Sequence, residues 1–164
     1  CFKYYSSAEK FALENINLQI NSGETVGIIG ATGSAKSTLV SLIPRLYDVT
    51  EGEVKVSGIN VKDYDLNTLR NNVSMVLQKN VLFSGTIKSN MQWGKKDATD
   101  EEIHNALKMA QIDVFPLDKE VEQGGNNFSG GQKQRLCIAR ALLKNPKLIK
   151  EIVTEVVKCV PIPV

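Results

Sequence analysis

The segment Gly30-Ala-Thr-Gly-Ser-Ala-Lys-Ser-Thr38 constrains this chain more than any other. It follows an apolar run, Thr25-Val-Gly-Ile-Ile29. It precedes Leu39-Val-Ser-Leu-Ile43, and there Leu39, Leu42, Ile43 and Leu46 recur at helical spacing. Strand, small-residue loop and helix in that order is the context of a phosphate-binding loop. Backbone N–H groups of such a loop converge on an anion, and the helix start adds the positive end of its dipole. Lys36 then reaches the outer phosphates as a point charge, and Ser37 offers its hydroxyl to Mg²⁺. Gly30, Ala31, Thr32, Gly33, Ser34, Ala35 and Thr38 complete the cradle. Ala35 stands where a glycine is usual before the lysine. If that position takes a positive φ, its Cβ costs on the order of 1–2 kcal/mol. Nucleotide binding then weakens roughly tenfold. An ordinary glycine-rich turn into a core helix is the competing reading.

The rest of the composition narrows the class. A chain of 164 residues with 42% hydrophobic and 23% charged residues has the make-up of one globular domain with a sizeable core. A formal net charge of +2 is too small to argue for a nucleic-acid or membrane-surface partner. The pair Lys95-Lys96 reads as solvated loop. The cysteines, Cys1, Cys137 and Cys159, lack metal-ligand spacing and form no disulfide framework, so a reducing compartment is the default. Cys137 reads as a small buried hydrophobe. No apolar run is long enough to span a bilayer. The chain opens on Cys1 and reads as a piece of something longer.

Along the chain, Ile16-Asn-Leu-Gln-Ile20 alternates like a half-exposed strand and Asn21-Ser-Gly23 turns it toward the phosphate loop. Glu53-Val-Lys-Val56 alternates again, with Ser57-Gly-Ile-Asn60 as a turn. Asp65 caps a short helix through Arg70, and Val73-Ser-Met-Val-Leu77 is a buried-type strand. Thr99-Asp-Glu-Glu102 is a capping box, and Ile103, Ala106, Leu107 and Ala110 give the following helix one apolar face. A last helix starts near Ser129 and runs through Leu143, with Asn145-Pro146 as its stop.

Asn127-Phe-Ser-Gly-Gly-Gln132, running into Lys133-Gln-Arg-Leu-Cys-Ile-Ala-Arg-Ala-Leu-Leu143, closely resembles the signature segment of ABC-transporter nucleotide-binding domains. The resemblance implies that Ser129, Gly130, Gly131 and Gln132 cover the γ-phosphate of an ATP held by a partner domain's phosphate loop. Two domains, as homo- or heterodimer, would sandwich two nucleotides. Phe2-Lys-Tyr4 resembles the aromatic loop on which adenine stacks, a role carried to Tyr4 with Tyr5 as the competing choice. Met75-Val-Leu-Gln78 resembles the family's Q-loop, which implies that Gln78 helps Ser37 to ligate Mg²⁺ and contacts a transmembrane domain. Val81-Leu-Phe-Ser-Gly-Thr-Ile87 is similar to the exporter subclass. The resemblance implies ATP and Mg²⁺ as cofactors and a place on the cytoplasmic face of a membrane. The transmembrane partner there lies outside this chain, which itself does not insert in the bilayer.

The likeness covers about residues 1–148 of a single nucleotide-binding domain, residues 1–164, and three departures qualify it. Phe128 replaces the commoner leucine, and the segment Gln111 to Glu122 is short, which reduces the helical subdomain. After Ile149 the family's apolar strand, ending in the Mg²⁺ aspartate (Walker B) and the catalytic glutamate, is missing, as is the later switch histidine. Glu151 and Glu155 end no apolar strand, and His104 reads as a surface residue. Ile149, Ile152, Val153, Val156, Val157 and Val160 sit at helical spacing yet are all β-branched. The tail is therefore a weak amphipathic helix or the product of a shifted reading frame. Losing a central strand leaves a gap and marginal stability unless Ile152 to Val157 substitutes for it. Trp93, Phe83 and Phe115 read as core or interface packing.

The expected fold is α/β: a P-loop NTPase core with a mostly parallel sheet, an antiparallel strand layer and a reduced helical signature subdomain. The expected function is the ATP-binding domain of an exporter-type ABC transporter, which binds ATP weakly by itself and hydrolyses it negligibly. The alternative is a non-hydrolysing, nucleotide-dependent dimerisation module lending its signature to a competent partner. A small-molecule kinase or GTPase is the weakest reading, given Ser129 to Gln132 and the lack of an Asn-Lys-x-Asp motif.

Overall fold

The structure, a computed structural model, describes residues 1–4, 9–22, 24, 26–77, 79–145, 148–153 and 156–161, the last two stretches by their backbone. Local hydrogen-bond chemistry starts most of its helices. The strand β1 (Val26–Ile29) leads through the phosphate loop into α1 (Lys36–Ser41). A hairpin follows, β2 (Lys55–Val56) and β3 (Ile59–Asn60). Its turn is Ser57 at φ 51 and Gly58 at φ 80, the paired positive φ that suits a two-residue hairpin loop. The expected turn was therefore two residues too long, because Ile59 and Asn60 already pair with β2. Asp65 accepts from the Thr68 amide at 2.8 Å and starts α2 (Leu66–Asn72), which passes directly into β4 (Val73–Val76).

The second half is helical. A strand pair, β5 (Gly85–Thr86) and β6 (Glu120–Val121), frames α3 (Ile87–Gln92) and α4 (Asp100–Met109). Capping boxes start both helices, Thr86 with Ser89 and Thr99 with Glu102. The longest helix, α5 (Gly130–Leu142), starts on a third box, Ser129 with Gln132. The strands β7 (Leu148–Val153) and β8 (Val156–Pro161) close the fold.

These last strands correct the expected tail helix. β7 and β8 pair antiparallel with Ile152 opposite Val157, and the sheet order is β1-β8-β7-β4. β-branched side chains lose rotamer freedom in a helix and fit a pleated surface, so composition overrode helical spacing here. β7 runs parallel to β4, and β8 lies antiparallel to both β7 and β1. Three of the four strands thus share one direction, and the tail occupies the central positions that would otherwise stand open.

Ile16 to Ile20 forms no strand. Ile16 is 47% and Leu18 54% exposed, so no covering layer rewards their alternation. The N-terminal segment instead bridges Phe2 to Leu13. The main core gathers α3, α4 and α5 around Leu82, Ile87, Met91, Ile103, Leu107 and Leu136. Each such side chain contributes about 1.5–3 kcal/mol of transfer free energy. Smaller clusters hold α1: Leu42 with Phe2 and Leu13, and Val40 with Ile28 and Met75. Gly94 lets α3 approach α5, since a Cβ there would collide with the Arg140 carbonyl. Among the described residues no helix is long and apolar enough to cross a membrane.

Candidate nucleotide site

The phosphate loop is held from inside by its own lysine. Lys36 Nζ donates to the Gly30 carbonyl, to the Ala31 carbonyl at 2.9 Å and to Ser34 Oγ at 3.2 Å. Three ammonium donors thus meet three loop oxygens, which wraps the loop around a fixed cation. Gly30 is pressed by Ser34, whose Oγ would lie 2.7 Å from an added Cβ. Gly33 takes φ 84 with open space beside it. Ala35 is the N-cap of α1 at φ 59 and ψ 22 and makes no side-chain cap. The condition stated for this position is met: Ala35 carries left-handed strain that a glycine would not.

The donor chemistry of this loop fits a phosphate chain. With no side chain capping α1, the first-turn amides of Lys36, Ser37 and Thr38 are left for an incoming acceptor. Ser34, Gly33, Thr32 and Ala31 are exposed around them, and Ser37 is exposed with its hydroxyl accessible. For Mg²⁺ the fit is partial: Ser37 supplies one hard oxygen, and among the described residues no three His, Cys, Asp or Glu gather as a metal site.

Tyr4 stands beside this loop. Its hydroxyl shares a hydrogen bond with Thr38 Oγ1, on a residue that is itself buried. Its ring meets Phe2 edge-on at 5.0 Å and Tyr47 edge-on at 5.5 Å, and half of its surface is exposed. An aromatic face therefore flanks the phosphate cradle. Tyr47 was not anticipated; it lies in a loop without periodicity, and only its place after α1 could have signalled it.

The signature segment lies on the other cluster. Ser129 Oγ accepts from the Gln132 amide at 3.3 Å, and Gln132 Oε1 accepts from the Ser129 amide at 2.9 Å. Ser129, Gly130 and Gly131 are exposed, and a Cβ on either glycine would meet nothing within 4 Å. Among the described residues nothing requires glycine at these two positions. Phe128 is buried edge-on against Phe115 at 5.4 Å, so it anchors the segment as a core residue.

Other expected residues separate clearly. Gln78, Tyr5, Gly23, Thr25, Pro146 and Glu155 lie outside the described residues, and Glu151 is placed by its backbone in β7. His104 is exposed, with Nδ1 at 3.2 Å from Asp113 Oδ1. Cys137 is buried, and burial pushes its thiol above the ordinary range despite the nearby Arg140. Phe83 and Trp93 are not core: they are 46% and 70% exposed and stack on each other at 5.1 Å.

Comparison with known proteins shows what the chain as a whole resembles. The family described as ABC transporter matches residues 13–150. A multidrug export ATP-binding/permease protein of Staphylococcus aureus is 47% identical over 151 residues, covering 88% of this chain and 26% of that protein. The multidrug export ATP-binding/permease protein YgaD of Bacillus subtilis is 49% identical over 154 residues, covering 90% of this chain and 26% of YgaD. The solved structure of a bacterial Atm1-family ABC exporter with ATP bound superposes with a TM-score of 0.82 at 34% identity. It covers 90% of this chain and 27% of that one. The chain thus spans about a quarter of the length of these relatives.

Proposed function

The chain belongs to the ABC transporter family, of which it is a nucleotide-binding portion, and on that premise we propose that it binds ATP with Mg²⁺ to drive export. The observation that carries the nucleotide reading is Lys36 fixed inside the Gly30–Thr38 loop at the open start of α1. In this reading the amides of residues 36–38 hold the phosphates, the Lys36 ammonium exchanges its loop oxygens for phosphate oxygens, and Tyr4 stacks on the base. Ser37, with Gln78, takes Mg²⁺, which neutralises phosphate charge when bound. Ala31, Thr32, Gly33, Ser34 and Ala35 line the cradle. A transmembrane domain outside these residues would place the site at the cytoplasmic face of a membrane.

We further propose that Ser129, Gly130, Gly131 and Gln132 serve a nucleotide on a second nucleotide-binding domain. The two glycines support this: each costs helix stability of about 0.5–1 kcal/mol relative to alanine, with no internal contact that needs it. Close approach from outside is the physical reason to keep them. Hydrolysis by this chain alone should be negligible, because the sequence after Ile149 carries neither the aspartate nor the water-activating glutamate that the family's strand ends on. ATP titration of the chain and of Lys36→Ala tests the binding reading; equal heats would refute it. Phosphate release above that of Lys36→Ala would refute the lack of turnover.

The exposed, intact capping box at Ser129 favours a second reading, a non-hydrolysing module completing a competent partner's site. Mixing with a complete domain should then give ATP-dependent association that Ser129→Arg abolishes. Association unchanged by that substitution would remove the module reading and leave the nucleotide reading untouched.

A further inference from the structure

The Tyr4 hydroxyl is tied to Thr38 Oγ1, in the first turn of α1. That bond alone cannot set the ring. A tyrosine oxygen lies on the axis through Cβ and Cγ, so holding it fixes where the ring points and leaves rotation about that axis open. The χ2 angle of a tyrosine is broad and has no staggered wells to resist such rotation. A neighbour beside the ring must therefore decide which way its face turns. Two stand there. Phe2 lies 5.0 Å away at 79° and Tyr47 lies 5.5 Å away at 86°, both close to perpendicular. Perpendicular pairs at this separation are a favoured aromatic geometry. Phe2 is buried and serves a core with Leu13 and Leu42, whereas Tyr47 is 47% exposed.

The loop that carries Tyr47 is tied down on both sides of it. The Leu46 amide donates to the Ser41 carbonyl at 3.0 Å. Arg70 donates from Nε to the Pro44 carbonyl at 3.2 Å and from Nη2 to the Arg45 carbonyl at 3.0 Å. Arg45 in turn holds Asp48 at 2.8 Å and the Lys62 carbonyl at 3.2 Å. The Lys3 amide donates to Thr50 Oγ1 at 3.0 Å, which laces the segment before Tyr4 to the segment after Tyr47. Stacking a base on a mobile ring costs the ordering of that ring, and a ring ordered beforehand avoids the cost. We infer that Tyr47 is a positioning residue for nucleotide binding: its ring sets the plane of Tyr4 and so favours the base, leaving the phosphates untouched. This rests on the nucleotide reading of Tyr4 and the phosphate loop.

Calorimetric titration with MgATP and with inorganic tripolyphosphate, which has phosphates and no base, separates the two contributions. Tyr47→Ala should weaken ATP about fivefold, the worth of one aromatic pair, and leave tripolyphosphate unchanged. Tyr47→Phe keeps the ring and should bind ATP as the unaltered chain does. Tyr4→Ala should weaken ATP about tenfold. Adding Tyr47→Ala to it should cost nothing more, because a residue that acts through Tyr4 then has nothing to position. Additive losses would show that Tyr47 touches the nucleotide itself and would overturn the inference. So would equal losses of ATP and tripolyphosphate, the mark of a purely structural role, or undiminished ATP binding in Tyr47→Ala. Lys36→Ala keeps the two readings apart. Unchanged binding of both ligands there would remove the nucleotide reading, whereas weakened binding there beside an unaffected Tyr47→Ala would remove this inference alone. Thermal melts identify a variant that fails to fold; if Tyr47→Ala does, Tyr47→Leu, which keeps apolar bulk without a ring, takes its place.

Discussion

Helix α1 enters through Ala35 at φ 59 with no side-chain cap, whereas α5 enters through Ser129 and a reciprocal box with Gln132. The contrast continues into the packing. α1 is six residues long, and among the described residues its buried Val40 clusters with the partly buried Ile28 and Met75. α5 is thirteen residues long and anchors the largest core with Leu136, Cys137, Ala139 and Ala141 buried. Both starts present backbone amides outward, yet one is held by strain and a folded-back lysine and the other by capping and apolar burial. On the proposed reading, affinity for phosphate and stability of the fold are therefore concentrated in different places. An uncapped helix start is poor for stability but leaves its donors free.

The largest test of that division is a pair of truncations. Leu136→Ala should cost about 3 kcal/mol in urea unfolding, and Val40→Ala about 2 kcal/mol or less. Equal losses would break the contrast. Lys36→Ala should next weaken ATP by about thirtyfold in calorimetry, for a lost charge-assisted contact of about 2 kcal/mol. Its unfolding free energy should fall by only about 1 kcal/mol, for the loop hydrogen bonds that Lys36 makes. Third, Ala35→Gly should raise stability by about 1 kcal/mol by relieving the left-handed residue. The strain is present with or without nucleotide, so the tenfold loss of affinity expected from the sequence is corrected: the gain should show in melting more than in ATP binding.

Smaller effects sharpen the same comparison. Gly131→Ala should leave stability equal or about 0.5 kcal/mol higher, since its Cβ meets nothing. It should nevertheless reduce ATP-dependent association with a complete partner domain, measured by sedimentation. The smallest effect is a pH dependence of the caps. The Thr68 amide and hydroxyl hold the Asp65 carboxyl below its usual range, and the Lys95 ammonium and Thr99 amide do so for Glu102. The unfolded chain takes up these protons first, so the stability is full above about pH 5 and is lost as pH falls below the ordinary carboxylate values of about 4. Thermal melts across that range should show a shallower decline in Glu102→Gln.

Legibility followed the range of the interaction. The helix starts at Asp65, Thr99 and Ser129 were readable because a cap joins residues three apart in the chain. The strand, loop and helix order around residues 30–38 was readable for the same reason, as was burial of Cys137 on a helix face. Ile16 to Ile20 misled, because alternation makes a strand only where a partner and a covering layer exist. The tail misled differently: spacing argued for helix, and β-branched composition prevailed once open sheet positions were available to it. Tyr47 left no signal, since its place beside Tyr4 depends on residues far apart in sequence.

By itself the sequence determined the local chemistry: the strand, loop and helix order around Lys36, and the serine and glutamine at the start of α5. Each of these is fixed by hydrogen bonds within a few residues. Only the tertiary structure decided that β8 lies between β1 and β7, that Ala35 is strained, and that Tyr47 meets Tyr4 beside the phosphate loop. Those outcomes rest on pairings between distant segments, where the hydrophobic effect and strand hydrogen bonding select among arrangements that no local pattern can rank.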